Sequence, residues 1–136
     1  MKPEEVELVR YRLARAEESL KAAHMMIEGG LLLPAVNRVY YSCFYAVSAL
    51  LRTAGMASPK HSGVISLFEQ HWVKTGLLPV DQGRFYRSLF RHRQRGDYDD
   101  LVTFEKSEVE QLLAGAQGFV KTVSEKVREK IADEST

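Results

Sequence analysis

The sequence predicts an all-α protein, an up-and-down bundle of four or five helices, and three observations carry that prediction. The stretch Pro34 to Ala54 places Val36, Val39, Tyr40, Cys43, Phe44, Val47, Leu50 and Leu51 at a helical period and is apolar nearly all round, as a core helix is. An earlier stretch spaces Val6, Val9, Leu13, Ala16, Leu20, Ala23 and Ile27 alternately three and four apart, the narrow seam of antiparallel bundle packing. No stretch sustains a period of two, and no internal repeat occurs. Helices of about 25 residues reach about 37 Å, while a compact chain of this length has a radius of gyration near 14 Å. Rods that long cross the domain from end to end, and a bundle accommodates them.

The first helix is expected from about Glu4 to Glu28, with Glu4, Glu5 and Glu7 favourable at its positive end and Gly29-Gly30 stopping it. Met25 and Met26 are read as core fillers, His24 as a surface residue. Helix two starts at Pro34, whose missing N–H costs nothing in a first turn, and ends before Gly55. A loop from Gly55 to Ser62 carries Pro59 as a breaker. Helix three, about Gly63 to Lys74, turns Val64, Ile65, Phe68, Trp72 and Val73 inward. Gly76 and Pro79 close it. Helix four is expected over Val80 to Arg93, with Phe85, Tyr86, Leu89 and Phe90 packed. The segment Gln94 to Val102, rich in Gly and Asp, reads as a loop. The last helix begins between Thr103 and Ser107, where Ser107 and Glu110 mimic a capping box, and runs to about Ile131. Residues 1–3 and 132–136 are expected to fray.

Composition bounds the partners. The 136 residues suffice for one domain with a real core. With 45% hydrophobic and 27% charged residues the chain is ordinary for a globular protein. A net charge of +1 advertises neither nucleic acid nor membrane, so such a partner would have to meet a local patch. The longest uncharged run, Val39 to Leu51, falls short of the roughly 20 residues that span a bilayer. The N-terminus lacks an apolar signal core. No membrane contact is expected, and the expected compartment is the cytoplasm. Cys43 has no partner for a disulfide or zinc site and reads as a buried, inert thiol. The four histidines are scattered, and no phosphate-cradling glycine loop or nucleophile elbow occurs. No metal and no cofactor are expected.

Three polar clusters depart from bundle patterning. Asn37 and Arg38 precede Tyr41 and Tyr45, which share a face at i and i+4. Arg38, if buried, calls for a carboxylate, with Asp97, Asp99 and Asp100 the candidates by character. That pair would either pin the loop to the bundle or shape a pocket. Lys60, His61 and Ser62 sit where helix three begins, so His61 or Ser62 caps the helix or helps to hold an anion. The densest cluster puts Arg84, Arg87, Arg91 and Arg95 in one stripe, with His92 and Arg93 beside it and Asp97-Tyr98-Asp99-Asp100 following. It is either a solvated face or a strip for phosphates.

Taken together, Arg38-Val39-Tyr40-Tyr41, His61-Ser62-Gly63, Thr75-Gly76-Leu77-Leu78-Pro79 and Arg93 followed by Asp97-Tyr98-Asp99 resemble the HEPN domain family, specifically its small stand-alone prokaryotic branch. The resemblance covers about Leu31 to Phe119. It implies a four- or five-helix bundle, often a homodimer, and in many members a metal-independent ribonuclease. Such members are frequently the toxin of a toxin–antitoxin pair with a minimal nucleotidyltransferase protein. Others bind nucleotides or serve as non-catalytic dimerisation and interaction modules.

The ribonuclease signature is an Arg followed after four to six residues by a His. Arg87 and His92 meet that spacing on helix four, and as catalytic residues they would make the chain a metal-independent endoribonuclease. Alignment through Asp97-Tyr98 gives the role to Arg93, with Tyr98 where His would stand. A tyrosine, with a free pKa near 10, is a poor base at neutral pH, so this register fits phosphate binding better than cleavage and is preferred. The resulting ligand-binding set is Arg38, Tyr41, His61, Arg93, Asp97 and Tyr98, with nucleotide or RNA phosphate as the ligand.

Overall fold

A computed structural model describes residues 1–135. It contains α1 (Pro3–Glu28), α2 (Leu32–Thr53), α3 (His61–Phe68), a π-helical turn (Glu69–Val73), α4 (Val80–Tyr98) and α5 (Lys106–Ser135). Among the described residues there is no strand. The central rod is α2, which packs against α1, α3, α4 and α5. Its buried face includes Val36, Val39, Tyr40, Cys43, Val47, Leu50 and Leu51. The seam of α1 is buried from Val9 to Ile27 as its spacing requires. Among the described residues, no helix is long and apolar enough to cross a membrane.

Both turns that flank α2 use a left-handed glycine. Gly55, at φ +71°, lets its own N–H reach Arg52 O and that of Met56 reach Leu51 O at 3.0 and 2.9 Å. These bonds satisfy carbonyls the helix end would otherwise leave open. At its other end α2 begins at Leu32, before Pro34, so the proline lies within the first turn rather than opening it. Met25 is exposed and fills no core space, whereas Met26 packs against the core.

The remaining boundaries differ from expectation for local reasons. Helix three starts earlier, at His61, and is not α-helical throughout. From Glu69 to Val73 the chain widens into a π turn, with Lys74 N–H bonded to Glu69 O at 2.8 Å. This turn presents the Glu69 carboxylate to α4, where Arg87 grips it through Nε and Nη2 at 3.0 and 2.6 Å.

Helix α4 does not stop at Arg93 but continues through most of the supposed loop. Gly96 explains part of this: a Cβ there would stand 3.3 Å from Leu33 Cδ1 and 3.4 Å from Phe104 Cε2. The glycine is therefore a site of close approach between α4 and its neighbours. Arg93 and Asp97, paired at i and i+4, support the same turns. Lys106 opens α5, so Ser107 lies inside the helix rather than at its cap. Helix α5 passes Ile131, and its last turns wall a cavity of about 350 Å³ with Leu50 and Trp72.

The loop before α3 is tightly built. Ser58 Oγ accepts a hydrogen bond from Lys60 N–H at 3.3 Å, and a Cβ on Gly63 would overlap that hydroxyl and stand 2.9 Å from Ser58 Cβ. Gly63→Ala is therefore expected to destabilise the fold by about 1–3 kcal/mol, the usual cost of overpacking. Chemical denaturation checks this; an unchanged midpoint would show that the loop yields freely.

Candidate functional site

The head of α2 turns a strip of side chains toward α3 and α4. Tyr40 is fully buried, and its ring lies 5.3 Å from Tyr41, 5.5 Å from His61, 5.8 Å from Phe90 and 6.0 Å from Tyr86, centroid to centroid. The first residue of α3, His61, is held there by its side chain, with Nδ1 2.7 Å from the Tyr40 hydroxyl. Phe44 covers the imidazole at 4.7 Å. Helix α4 adds Arg93, whose guanidinium carbon stands 5.2 Å from the Tyr40 ring centre and 5.5 Å from that of Tyr41. Tyr41 meets a second guanidinium, that of Arg38, at 4.9 Å.

Arg93 is the centre of this arrangement. Its side chain is only 12% exposed, and its Nε lies 3.1 Å from Asp97 Oδ2. That distance makes an ion pair, but the N–H is not aimed at the oxygen, and the buried Nε has no hydrogen-bond acceptor among the described residues. Two aromatic faces compensate, since desolvated cation–π contacts stabilise by about 0.5–2 kcal/mol each. The charge is thus held in place while part of its donor capacity stays unused.

The surrounding groups titrate accordingly. Burial pushes the Tyr40 phenol up to about 12, so it stays neutral at physiological pH. Burial, and secondarily the charge of Arg93, hold His61 below its ordinary 6.5. When Tyr40 donates to Nδ1 the proton of the neutral imidazole sits on Nε2, and in the other tautomer Nδ1–H donates to the phenol oxygen. Because the folded state binds this proton less readily than the unfolded chain, His61 favours folding above pH 6.5. That contribution is lost as pH falls from 6.5 toward the lower folded midpoint. A proton NMR titration is expected to place the imidazole midpoint below 6.5; a value at or above it would contradict the burial described here.

The expected residues separate into those that meet and those that do not. Arg38, Tyr41, His61, Arg93 and Asp97 lie at one end of the bundle. The anticipated Arg38–Asp97 pair is replaced: Asp97 belongs to Arg93, one helical turn away, and Arg38 takes Asn37 Oδ1 at 3.3 Å and the Tyr41 face. Arg38 and Asp97 do share the walls of a shallow cleft of about 330 Å³ with Leu33 and Pro34. His61 is no cap. The residue preceding α3 is Lys60, no side chain caps the helix, and the imidazole is engaged inward.

Tyr98 stands away from the cluster, 75% exposed. At 3.6 residues per turn, five positions after Arg93 rotate it about 140° around α4. The same geometry separates Arg87 from His92. Arg87 grips Glu69, while His92 Nδ1 lies 2.8 Å from Ser88 O and its Nε2 3.9 Å from Glu108. The basic stripe is interrupted too, since Arg87 is neutralised and Arg95 lies 5.8 Å from the Phe104 ring. Cys43 is buried and its thiol pushed up to about 12 by that burial, which keeps it protonated.

Sequence reasoning placed Tyr40 on the apolar stripe and beside Asn37 and Arg38 but outside the ligand-binding set, and Phe90 among core residues. The available signal was spacing: Phe90 precedes Arg93 by three positions and shares its face. Among the described residues no three His, Cys, Asp or Glu side chains gather as metal ligands do.

The fold and this cluster define a class: an all-helical bundle whose central rod carries a cation–aromatic site at its head. Comparison with known proteins gives the class its family. The model of the HEPN domain matches residues 9–127, and the chain belongs to the HEPN family. A UPF0332 protein of Thermotoga maritima is 39% identical over 126 residues, covering 93% of this chain and 96% of that one. A UPF0332 protein of Gloeobacter violaceus is 34% identical, covering 92% and 97%. A Methanocaldococcus jannaschii protein named "Putative toxin MJ0142" is 38% identical over 101 residues, covering 74% of this chain and 69% of its own length.

Proposed function

We propose that this chain is the HEPN member of a toxin–antitoxin module, and that the Arg93 cluster binds a nucleotide or RNA phosphate. The observation that carries the proposal is the guanidinium of Arg93, fixed across two tyrosine faces beside a neutral His61. Nε itself is sealed against Asp97, but the Nη nitrogens have no hydrogen bond among the described residues and are not sealed; a phosphate oxygen would meet them, and charge-assisted bonds of this kind are the strong ones. Tyr41 offers a face to a base, and Arg38 a second cation for the same ligand. The name of the M. jannaschii relative supports the toxin part. The expected partners are a minimal nucleotidyltransferase protein and a second copy of this chain.

Titration of fluorescent ATP and of a labelled ten-nucleotide RNA at low salt tests the reading. Saturable binding that weakens with salt is expected. Failure of both ligands to bind would leave a protein-interaction module instead.

A further inference from the structure

The alternation of aromatic faces and guanidiniums does not end at Tyr41. One helical turn farther along α2, the Tyr45 ring lies 5.9 Å from Tyr41, and Arg15 of α1 stands over it at 5.3 Å with Nη2 3.3 Å from its hydroxyl. One turn before Arg15 on α1, Arg12 donates to Ser48 O at 3.4 Å. Arg12 loses proton affinity through burial and then through the nearby charge of Arg52. Arg12 thus feels a second guanidinium, while Arg15 is held protonated chiefly by its bond to Tyr45 and lastly by the charge of Glu18; among the described residues none of Arg12, Arg15 and Arg52 forms an ion pair. Arg12 and Arg52, unpaired and of one sign, repel, and an anion would relieve them.

Beside them opens a cavity of about 230 Å³ bounded by Arg12, Phe44, Tyr45 and Ser48. Phe44 is the shared wall, since its ring also covers His61. The cavity is smaller than the roughly 300–1,000 Å³ of drug-sized sites, a size suited to one planar base rather than a whole nucleotide.

We propose that Arg12, Arg15 and Tyr45 form a second subsite for single-stranded RNA, taking the nucleotide next to the one whose phosphate lies on Arg93. This rests on the reading of Arg93 given above. The strand would run along α2, with phosphates alternating between the α4 and α1 cations and bases stacked on Tyr41 and Tyr45. Sequence-tolerant recognition of single strands uses this combination of basic groove and aromatic platforms.

Fluorescence anisotropy with a labelled ten-nucleotide RNA and a fluorescent ATP analogue separates the two subsites. The double variant Arg12→Gln/Arg15→Gln is expected to bind the RNA at least tenfold more weakly. Its plot of log affinity against log salt should flatten by about 1.4, at roughly 0.7 per lost phosphate contact. Its affinity for the mononucleotide should stay within twofold of the unaltered protein. Tyr45→Leu, which keeps an apolar side chain on α2, is expected to lose at least fivefold for RNA alone and serves if the double variant fails to fold. RNA affinity and salt slope equal to those of the unaltered protein in a folded variant would overturn the second subsite. Arg93→Gln should weaken both probes; if it affects neither, the reading of Arg93 fails, whatever the Arg12 and Arg15 result.

Discussion

Arg93→Gln is expected to weaken binding of a short RNA and of a mononucleotide by about ten- to a hundredfold while leaving the bundle folded. Hydrogen bonds to charged groups contribute about 1.5–3 kcal/mol, and each 1.4 kcal/mol is tenfold in affinity. Glutamine retains a donor but neither the charge nor the planar fork that meets a phosphate on two sides. The cost to stability should be small. Asp97, the partner left behind, reaches solvent, and the lost contacts are two cation–π interactions rather than core packing. Removing that charge also takes away one of the two influences that depress His61, so the imidazole midpoint should rise toward 6.5. Anisotropy titration and NMR titration of the same sample check both effects. Unchanged affinity for both ligands would remove Arg93 from the site.

The parts of this arrangement that were legible in the sequence are those fixed by periodicity within one helix. The seam of α1 and the packed face of α2 follow from spacing alone, because burial of that face is what makes the segments helices. The stretch QRGDYDD was misread because glycine and aspartate favour turns when nothing else acts on them. Here Gly96 meets Leu33 and Phe104, residues distant in sequence, and tertiary contact overrides local composition. The chain reverses later, at Leu101, a leucine 99% exposed at φ +61°, where a glycine would ordinarily signal the turn.

Within the site, Arg38 was assigned a carboxylate because a buried cation needs compensation. The compensation came instead from the face of Tyr41 and the amide of Asn37, both within one turn of the same helix. Tyr98 was misplaced for a related reason: as a loop residue it could have folded back, but as a helical residue its direction is set by its distance from Arg93. His61 was legible as a residue near an anion-friendly terminus. Its bond to Tyr40 was not, because that contact joins two helices across a tight loop.

Phe119→Ala is expected to destabilise the fold by about 3–5 kcal/mol, the range for deleting a large aromatic ring from a packed core. Phe119 is buried on α5, and its ring stands 5.6 Å from Tyr86, 5.8 Å from Phe68 and 6.0 Å from Phe85. It joins α5 to α3 and α4, the two helices that deliver His61 and Arg93 to the head of α2. A domain has only about 5–15 kcal/mol in total, so the variant should unfold at markedly lower denaturant with its helices otherwise intact below the transition. Ligand binding under conditions where the variant is folded should remain within a few-fold, because Phe119 reaches the cluster only through the ring of Tyr86 and meets none of Arg93, Tyr41 and His61. Arg93→Gln thus lowers affinity at nearly constant stability, while Phe119→Ala lowers stability at nearly constant affinity. Urea titrations and anisotropy on the two variants measure both quantities. A Phe119→Ala protein with an unchanged urea midpoint would mean that α3 and α4 are held by contacts other than this ring, and that the site does not depend on it for support.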